Sequence, residues 1–124
     1  MTDYITLDEA LRIHEALLEK FGGAAGLRDP GMLESALLRP QTGYYGDLSE
    51  EAAALWESLA MNHAFVDGNK RVAYAVTELF LQMNGMDISA ENKAIEEFVL
   101  GHLEAATFNK PVIDAWLRAH TAPL

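Results

Sequence analysis

One stretch decides the fold of this chain: His63-Ala64-Phe65-Val66-Asp67-Gly68-Asn69-Lys70-Arg71. The segment before it, Ser49 to Asn62, places apolar residues at the i, i+3, i+4 and i+7 spacing of a helix face. The segment after it, Val72 to Met83, is apolar on nearly every side, which is typical of a helix buried in the middle of a domain. The sequence therefore predicts a polar cluster at the mouth of a helical core.

Length and composition limit the class of protein. The 124 residues, half of them hydrophobic, predict one domain spanning residues 1–124. No segment approaches the roughly 20 apolar residues that cross a bilayer, and the acidic start does not resemble a signal peptide. The chain has no cysteine, which excludes disulfides and thiolate metal sites. We therefore expect a soluble protein of the cytoplasm.

The charge balance argues against direct binding of nucleic acid. Nineteen acidic residues stand against nine basic ones, and the resulting net charge of -10 repels a phosphate backbone unless the cations converge on one patch. The acidic pairs Glu50-Glu51 and Glu96-Glu97 predict solvated helix faces or, alternatively, a surface that attracts a basic partner.

The periodic stretches are all helical and predict an all-α bundle of about six helices. Thr6, with Glu9 three residues later, forms a capping box that starts the first helix, and Gly22-Gly23 ends that helix at about Phe21. The predicted start signals of the other five helices are Asp29-Pro30, Ser49, Gly68-Asn69, Ser89 and Asn109-Lys110-Pro111.

One short segment interrupts the helical pattern and is predicted to be a hairpin-like flap. It consists of Gln41, Thr42, Gly43, Tyr44, Tyr45, Gly46 and Asp47. Two glycines that bracket two tyrosines indicate a turn between extended residues, too short for a sheet of its own. Tyr44 and Tyr45 would dock a target backbone or accept a transferred group, or they would simply pack on the third helix.

Two positions of the central stretch carry side chains that can react or hold a metal. His63 closes the third predicted helix, where an imidazole can take a proton near neutral pH or merely cap the last carbonyls. Asp67 offers the kind of carboxylate that holds Mg²⁺ beside a phosphate, although an Asp before a Gly is often only a turn residue. Phe65 is interpreted as a core anchor without chemistry.

The start of the fourth predicted helix has the properties of an anion site. Gly68-Asn69 opens the helix, so free N–H groups and the positive end of the helix dipole face the loop. Lys70 and Arg71 add two cations in the first turn, where they oppose the dipole. An anionic ligand would compensate them; two solvated surface cations are the alternative.

Together these groups indicate phosphoryl or nucleotidyl transfer, in which catalysis consists mainly of positioning and charge neutralisation. A Walker loop is excluded, because no glycine lies five residues before Gly68 and the preceding segment is helical. A zinc hydrolase needs at least three clustered ligands, whereas His14, His102 and His120 are scattered and are expected to be structural or surface residues.

The stretch His63–Arg71 resembles the Fic motif, His-x-Phe-x-Asp/Glu-Gly-Asn-x-Arg. It is most similar to the Doc (death-on-curing) branch, in which Lys follows the Asn where Fic nucleotidyltransferases carry a second Gly. The resemblance covers about residues 7 to 105, through Ile13-His14-Glu15, Gly22-Gly23, Arg28 to Ala36 and Asn84-Gly85. It implies an all-α Fic fold whose flap is the Gln41 to Asp47 segment.

The family resemblance also implies roles for the residues of the motif. His63 would be the base that activates a target hydroxyl, and Asp67 would be the Mg²⁺ carboxylate. Gly68, Asn69 and the following amides would form the anion hole, with Lys70 and Arg71 on the phosphates of ATP. Lys70 in place of glycine, and Tyr74 where nucleotidyltransferases often carry a second arginine, imply a nucleotide held differently, with its γ-phosphate facing the acceptor.

Doc proteins are kinase toxins of toxin–antitoxin pairs and phosphorylate the elongation factor that delivers aminoacyl-tRNA. The resemblance therefore implies such a toxin, with a protein target. The inhibitory pattern Ser/Thr-x-x-x-Glu-Gly/Asn of many Fic enzymes is absent, so restraint is expected from a separate antitoxin. Two alternatives stay open: AMP transfer by the same residues, and a non-catalytic member that binds a partner or a nucleotide.

Overall fold

A computed structural model describes residues 1–124 and shows six α-helices. They are α1 (Leu7–Phe21), α2 (Pro30–Leu38), α3 (Leu48–Met61), α4 (Asn69–Met83), α5 (Asn92–Glu104) and α6 (Lys110–Ala119). A short 3₁₀ helix, Arg39–Thr42, follows α2. Strands β1 (Met86–Ile88) and β2 (Thr121–Pro123) form a small antiparallel sheet. The prediction of an all-α fold is confirmed, and no helix combines the length and apolar character that crossing a membrane requires.

Helix α3 lies at the centre of the bundle. Its Trp56 is fully buried, and the indole makes edge contacts with Tyr74 of α4, Phe98 of α5 and Trp116 of α6, at 5.6, 6.0 and 5.8 Å between ring centroids. Edge-to-face contacts of this kind are the preferred geometry for aromatic pairs. One aromatic side chain therefore contacts three helices from the central one.

Local capping signals correctly predict the starts of four helices. Thr6 and Glu9 form the complete capping box of α1, and the carboxylate of Asp29 accepts from Met32 N–H at the start of α2. Asn109 caps α6 in the same manner. Helix α4 begins at Asn69, directly after Gly68, as expected.

Two of the predicted caps are wrong. Helix α3 is capped by Asp47 and not by Ser49, because the Asp47 carboxylate accepts from Glu50 N–H while the Ser49 hydroxyl donates to Asp114 at 2.6 Å. Helix α5 starts after Glu91, without a side-chain cap. Ser89 instead donates its N–H to His120 O, continuing the contact between the β1 and β2 segments.

The hairpin-like flap predicted for Gln41 to Asp47 is not found. Gln41 and Thr42 complete the 3₁₀ helix, and the residues from Gly43 to Asp47 form bends without strand pairing. Tyr45 is held by Arg39, whose Nε donates to the phenol oxygen at 2.8 Å. Tyr44 is 87% exposed.

Glu51 contradicts the prediction of a solvated acidic face at the start of α3. Its side chain is buried and accepts a hydrogen bond from the Tyr4 hydroxyl at 2.5 Å. Glu50 is partly buried and lies 3.7 Å from Lys110 Nζ. Glu96 and Glu97 are exposed, as expected.

Candidate active site

The connection between α3 and α4 carries the predicted site. Helix α3 ends at Met61, and α4 begins at Asn69, so His63 and Asp67 both lie on the short loop between these helices. Phe65 in the middle of this loop is 2% exposed and belongs to the hydrophobic core. The expectation that Phe65 anchors the loop is confirmed.

A second loop, residues 24–29 between α1 and α2, pairs with this connection. Val66 N–H donates to Gly26 O at 3.0 Å, and the N–H groups of Arg28 and Asp29 both donate to Ala64 O, at 2.8 and 2.9 Å. The pairing forms an isolated antiparallel bridge between Leu27 and Phe65. Two loops thus brace each other, which gives the site a rigid backbone without a regular sheet.

His14 of α1 supports the loop from below. It is 5% exposed, and its ring stacks on Phe65 with 3.8 Å between centroids. Its Nε2 lies 2.8 Å from Asp67 O. Because a carbonyl oxygen can only accept, this nitrogen is the donor. His14 is therefore structural, as expected, although its place beneath the motif was not predicted.

The side chain of Asn69 closes the loop on itself. Its Oδ1 accepts from Phe65 N–H at 3.0 Å, and its Nδ2 donates to Phe65 O at 2.9 Å. These two bonds satisfy both main-chain polar groups of a buried residue. The side chain of Asn69 is therefore occupied, and only its main-chain N–H can make the predicted contact with a phosphate.

The carboxylate of Asp67 is held by main-chain N–H groups. Oδ2 accepts from Ala24 N–H at 3.1 Å, and Oδ1 accepts from Gly68 N–H at 2.8 Å. The bond from Ala24, followed by that from Gly68, lowers the pKa of Asp67 below its usual value. Gly23 lies so close that a Cβ there would sit 2.8 Å from Oδ2, so only glycine fits beside this carboxylate.

This arrangement fits a magnesium ion that arrives with a nucleotide. No group of three or more metal-binding side chains exists in the protein. Mg²⁺ commonly takes only one or two carboxylates and completes its shell with phosphate oxygens and water. Asp67 is exposed and ionised, and each of its oxygens keeps a lone pair after accepting one N–H.

The first turn of α4 has free donors. Its N-cap, Gly68, has φ +79° and provides no side-chain acceptor, and the turn contains no acidic residue. The first helical bond runs from Val72 N–H to Gly68 O, so the N–H groups of Asn69, Lys70 and Arg71 have no acceptor in the protein. The N–H of Gly68, which was expected in the anion hole, is not free, because it donates to the Asp67 carboxylate. Such a helix end binds anions through its amides and its dipole.

Most cations that have no carboxylate partner lie near the loop His63–Arg71. Ion pairs to carboxylates are formed by Arg12, Arg39, Lys110 and Arg118. Five basic residues have no such partner: Lys20, Arg28, Lys70, Arg71 and Lys93. Lys70 and Arg71 belong to the motif, and Arg28 donates to its first residue, His63. Lys20 lies over the ring of Phe21, which Arg71 also contacts, and only Lys93 is not connected with the motif in one of these ways. Lys70 and Arg71 therefore bring two cations without carboxylate partners to the start of α4, in a chain whose net charge is -10.

Arg71 has an aromatic partner that sequence reasoning missed. Its guanidinium lies 4.3 Å from the ring centroid of Phe21, the last residue of α1, and Lys20 Nζ lies 5.3 Å from the same centroid. Phe21 is 50% exposed.

Neither the side chain of Tyr74 nor the predicted flap forms a hydrogen bond with the residues of the loop His63–Arg71. Tyr74 packs against Trp56, and its hydroxyl donates to Glu78 at 2.9 Å, so burial and this carboxylate raise its pKa. It cannot take the place of a second phosphate-binding arginine. The segment Gln41 to Tyr45 contacts Arg39 and, through Tyr45, Lys110, so the structure does not join it to the loop His63–Arg71.

Comparison with known proteins agrees with this geometry. The model of the Fic/DOC family matches residues 4–81, which include the loop, the whole of α3 and most of α4. The chain therefore belongs to the Fic/Doc family.

Two relatives narrow the position of the chain within that family. It is 43% identical over 96 residues to Toxin Doc of Mycolicibacterium smegmatis, an alignment that covers 73% of this chain and 72% of the relative. It is 34% identical over 89 residues to Protein kinase doc of Escherichia phage P1, covering 68% of this chain and 71% of the relative. Both are Doc proteins, and the predicted resemblance to the Doc branch is confirmed.

Proposed function

We propose that this protein is a Doc-type toxin that transfers the γ-phosphate of ATP to a hydroxyl group of a protein target. One observation carries the proposal: the uncapped start of α4, with unpaired Lys70 and Arg71, lies beside the ionised carboxylate of Asp67. This combination has little structural purpose without an anionic ligand, since both cations oppose the helix dipole. The names of the two relatives, a toxin and a protein kinase, support the same proposal.

Each residue of the loop then has a defined task. The N–H groups of Asn69, Lys70 and Arg71 bind phosphate oxygens, while the two cationic side chains neutralise their charge. Asp67 would hold the Mg²⁺ ion, which neutralises charge on the phosphates when bound. The imidazole of His63 takes the proton of the target hydroxyl. The oxygen of the target hydroxyl then bonds to the γ-phosphorus. The bond from this phosphorus to the β–γ bridging oxygen breaks, and ADP leaves.

Two positions favour phosphate transfer over AMP transfer. Lys70 occupies the place of the second glycine of Fic nucleotidyltransferases, and its Cβ limits how closely a phosphate approaches the main chain. Tyr74 supplies no charge, because its ring packs on Trp56 and its hydroxyl binds Glu78. AMP transfer remains the second candidate, because His63, Asp67 and Arg71 are the residues that both reactions share.

ATP labelled on either its α or its γ phosphate distinguishes the reactions. We expect a bacterial extract incubated with the protein to retain label in one protein band only from the γ position. Retention only from the α position would show AMP transfer instead. His63→Ala should abolish labelling, whereas His102→Ala should not, because it removes an imidazole of α5 that is hydrogen-bonded to Thr107. Labelling that persists unchanged in His63→Ala would refute the role of the base.

Two partners follow from this proposal. The target would be the elongation factor that delivers aminoacyl-tRNA, in the cytoplasm, and a separate antitoxin would restrain the enzyme. The name Toxin Doc of one relative supports the second partner. Mass spectrometry of the labelled band tests the first, and growth arrest that is relieved by the protein of a neighbouring reading frame tests the second.

A further inference from the structure

The backbone of His63 has a conformation that side chains rarely adopt. Its φ is +49°, in the left-handed region, and Ala106 is the one other non-glycine residue with positive φ. Helices often end with a left-handed residue, but this residue is usually glycine because a Cβ there costs about 1–2 kcal/mol. His63 occupies such a position just after α3, so its surroundings must hold it there.

The side chain of Arg28 makes the contact that can do so. Its Nε donates to His63 O at 2.9 Å, and its Nη2 donates to the same oxygen and, at 3.4 Å, to Asn62 O. Arg28 has no carboxylate partner, so its donors serve the end of α3. A cation on the last carbonyls of a helix is favourable because it opposes the negative end of the dipole.

The main chain of Arg28 is fixed independently of its side chain. Its N–H donates to Ala64 O, and so does that of Asp29, which also caps α2. A substitution at position 28 therefore removes the grip on the His63 carbonyl and leaves the pairing of the two loops in place. The side chain of Arg28 forms no hydrogen bond or ion pair with Asp67 or with the α4 start, so the proposed nucleotide contacts are made by other groups.

We propose that Arg28 is a positioning residue for His63: its forked guanidinium holds the His63 carbonyl and thereby keeps the backbone in the left-handed conformation from which the imidazole projects. Lysine has the charge but not the fork, so it cannot bind the one oxygen through two nitrogens. The conformational part of the inference stands on the geometry alone. Its catalytic part rests on the proposed role of His63 as the base.

The test compares Arg28→Ala and Arg28→Lys with Arg118→Ala. Arg118 binds Asp47, the cap at the opposite end of α3, about 20 Å away for a helix of this length. Its removal costs stability of the same helix without touching the loop. NMR couplings that report the sign of φ are measured at His63, with Ala106 as the internal reference, in the protein without ligand.

We expect the left-handed couplings of His63 to be averaged in Arg28→Ala, partly averaged in Arg28→Lys, and unchanged in Arg118→Ala. In transfer assays, kcat should fall roughly tenfold to a hundredfold in Arg28→Ala, with KM for ATP within about twofold, as for a misplaced catalytic group. If Arg28→Ala does not fold, Arg28→Lys provides the same comparison.

Two results overturn the proposal. Unchanged couplings at His63 in Arg28→Ala or, if that variant does not fold, in Arg28→Lys would show that the loop pairing alone sets the conformation. If kcat falls as much in Arg118→Ala as in Arg28→Ala, at the same loss of Tm, then Arg28 only stabilises the end of α3 and does not position His63. If the unmodified protein transfers nothing from ATP, the proposed function fails, and the couplings alone decide the conformational role of Arg28.

Discussion

The guanidinium of Arg71 lies over the ring of Phe21, with its carbon 4.3 Å from the ring centroid. Phe21 is the last residue of α1, and Arg71 is the third residue of α4, so the contact joins two helices beside the loop. An aromatic face attracts a cation without neutralising it. Phe21 therefore restrains the direction of Arg71 and leaves its full charge available for a phosphate.

Phe21→Ala should weaken ATP binding with little loss of stability. An exposed cation–π contact contributes about 0.5–1 kcal/mol, which corresponds to a rise in KM for ATP of about two- to fivefold. Leu7→Ala is the matched control, because Leu7 is an exposed apolar residue at the other end of α1. Phe21→Tyr should behave like the unmodified protein. Equal KM values for Phe21→Ala and Leu7→Ala would show that the ring does not orient Arg71.

The carboxylate of Asp67 should make stability depend on pH in the acid range. Its pKa is lowered by the N–H of Ala24 and then by that of Gly68. A lowered folded-state pKa gives stability that is complete above the unfolded value of about 3.9 and is lost as pH falls through the folded value. Asp67→Asn should therefore be less stable than the unmodified protein at about pH 7, and the difference should shrink below about pH 4. Urea unfolding at both pH values measures this, and a difference that grows in acid contradicts it.

The same substitution should reduce the rise in Tm that Mg²⁺ and ATP cause. A ligand that binds only the folded state raises Tm, and its effect grows with the ratio of ligand concentration to Kd. We expect Mg²⁺ and ATP together to raise the Tm of the unmodified protein, and to raise that of Asp67→Asn clearly less. Asp8→Asn, an exposed carboxylate on α1, should respond like the unmodified protein. An equal shift in both variants would exclude Asp67 as the metal carboxylate.

Helix boundaries could be predicted where the stabilising contact is local. Thr6 and Glu9 are three residues apart, so the capping box can be read from the sequence and is present in the structure. Ser49 failed as a cap because its hydroxyl binds Asp114, sixty-five residues away. Likewise, the flap prediction failed because Arg39 and Lys110 hold Tyr45 against the bundle instead of leaving it in a hairpin.

The residues of the candidate site could be predicted from the motif, but the side chains that hold them in place could not. His63, Asp67 and Gly68 lie within one stretch, and their types already indicate phosphate chemistry. The groups that hold them come from elsewhere: His14 and Phe21 from α1, and Arg28 from the loop before α2. No spacing rule in the sequence connects α1 with α4, so these contacts required the folded chain.

Asn69 should contribute chiefly to the stability of the loop. In Asn69→Asp, Oδ1 still accepts from Phe65 N–H, but the donor to Phe65 O is lost and a carboxylate is brought beside that carbonyl. Leaving a buried carbonyl without its donor costs about 1–3 kcal/mol. We expect urea unfolding to show a loss of this size, whereas Asn92→Asp, on the exposed first residue of α5, should change little. Asn69→Asp with unchanged stability but weaker ATP binding would instead assign the side chain to the nucleotide.

His14 should act through the loop and not through chemistry. His14→Phe keeps an aromatic ring over Phe65 but removes the donor to Asp67 O. The loss of this one part-buried hydrogen bond costs about 0.5–1.5 kcal/mol. Because that carbonyl belongs to the residue proposed to hold Mg²⁺, KM for ATP should also rise. His120→Phe, which removes a comparable bond to Trp116 O at the end of α6, should lower stability and leave KM unchanged. If both variants change KM equally, the bond from His14 does not position Asp67, and the stack on Phe65 alone fixes the loop.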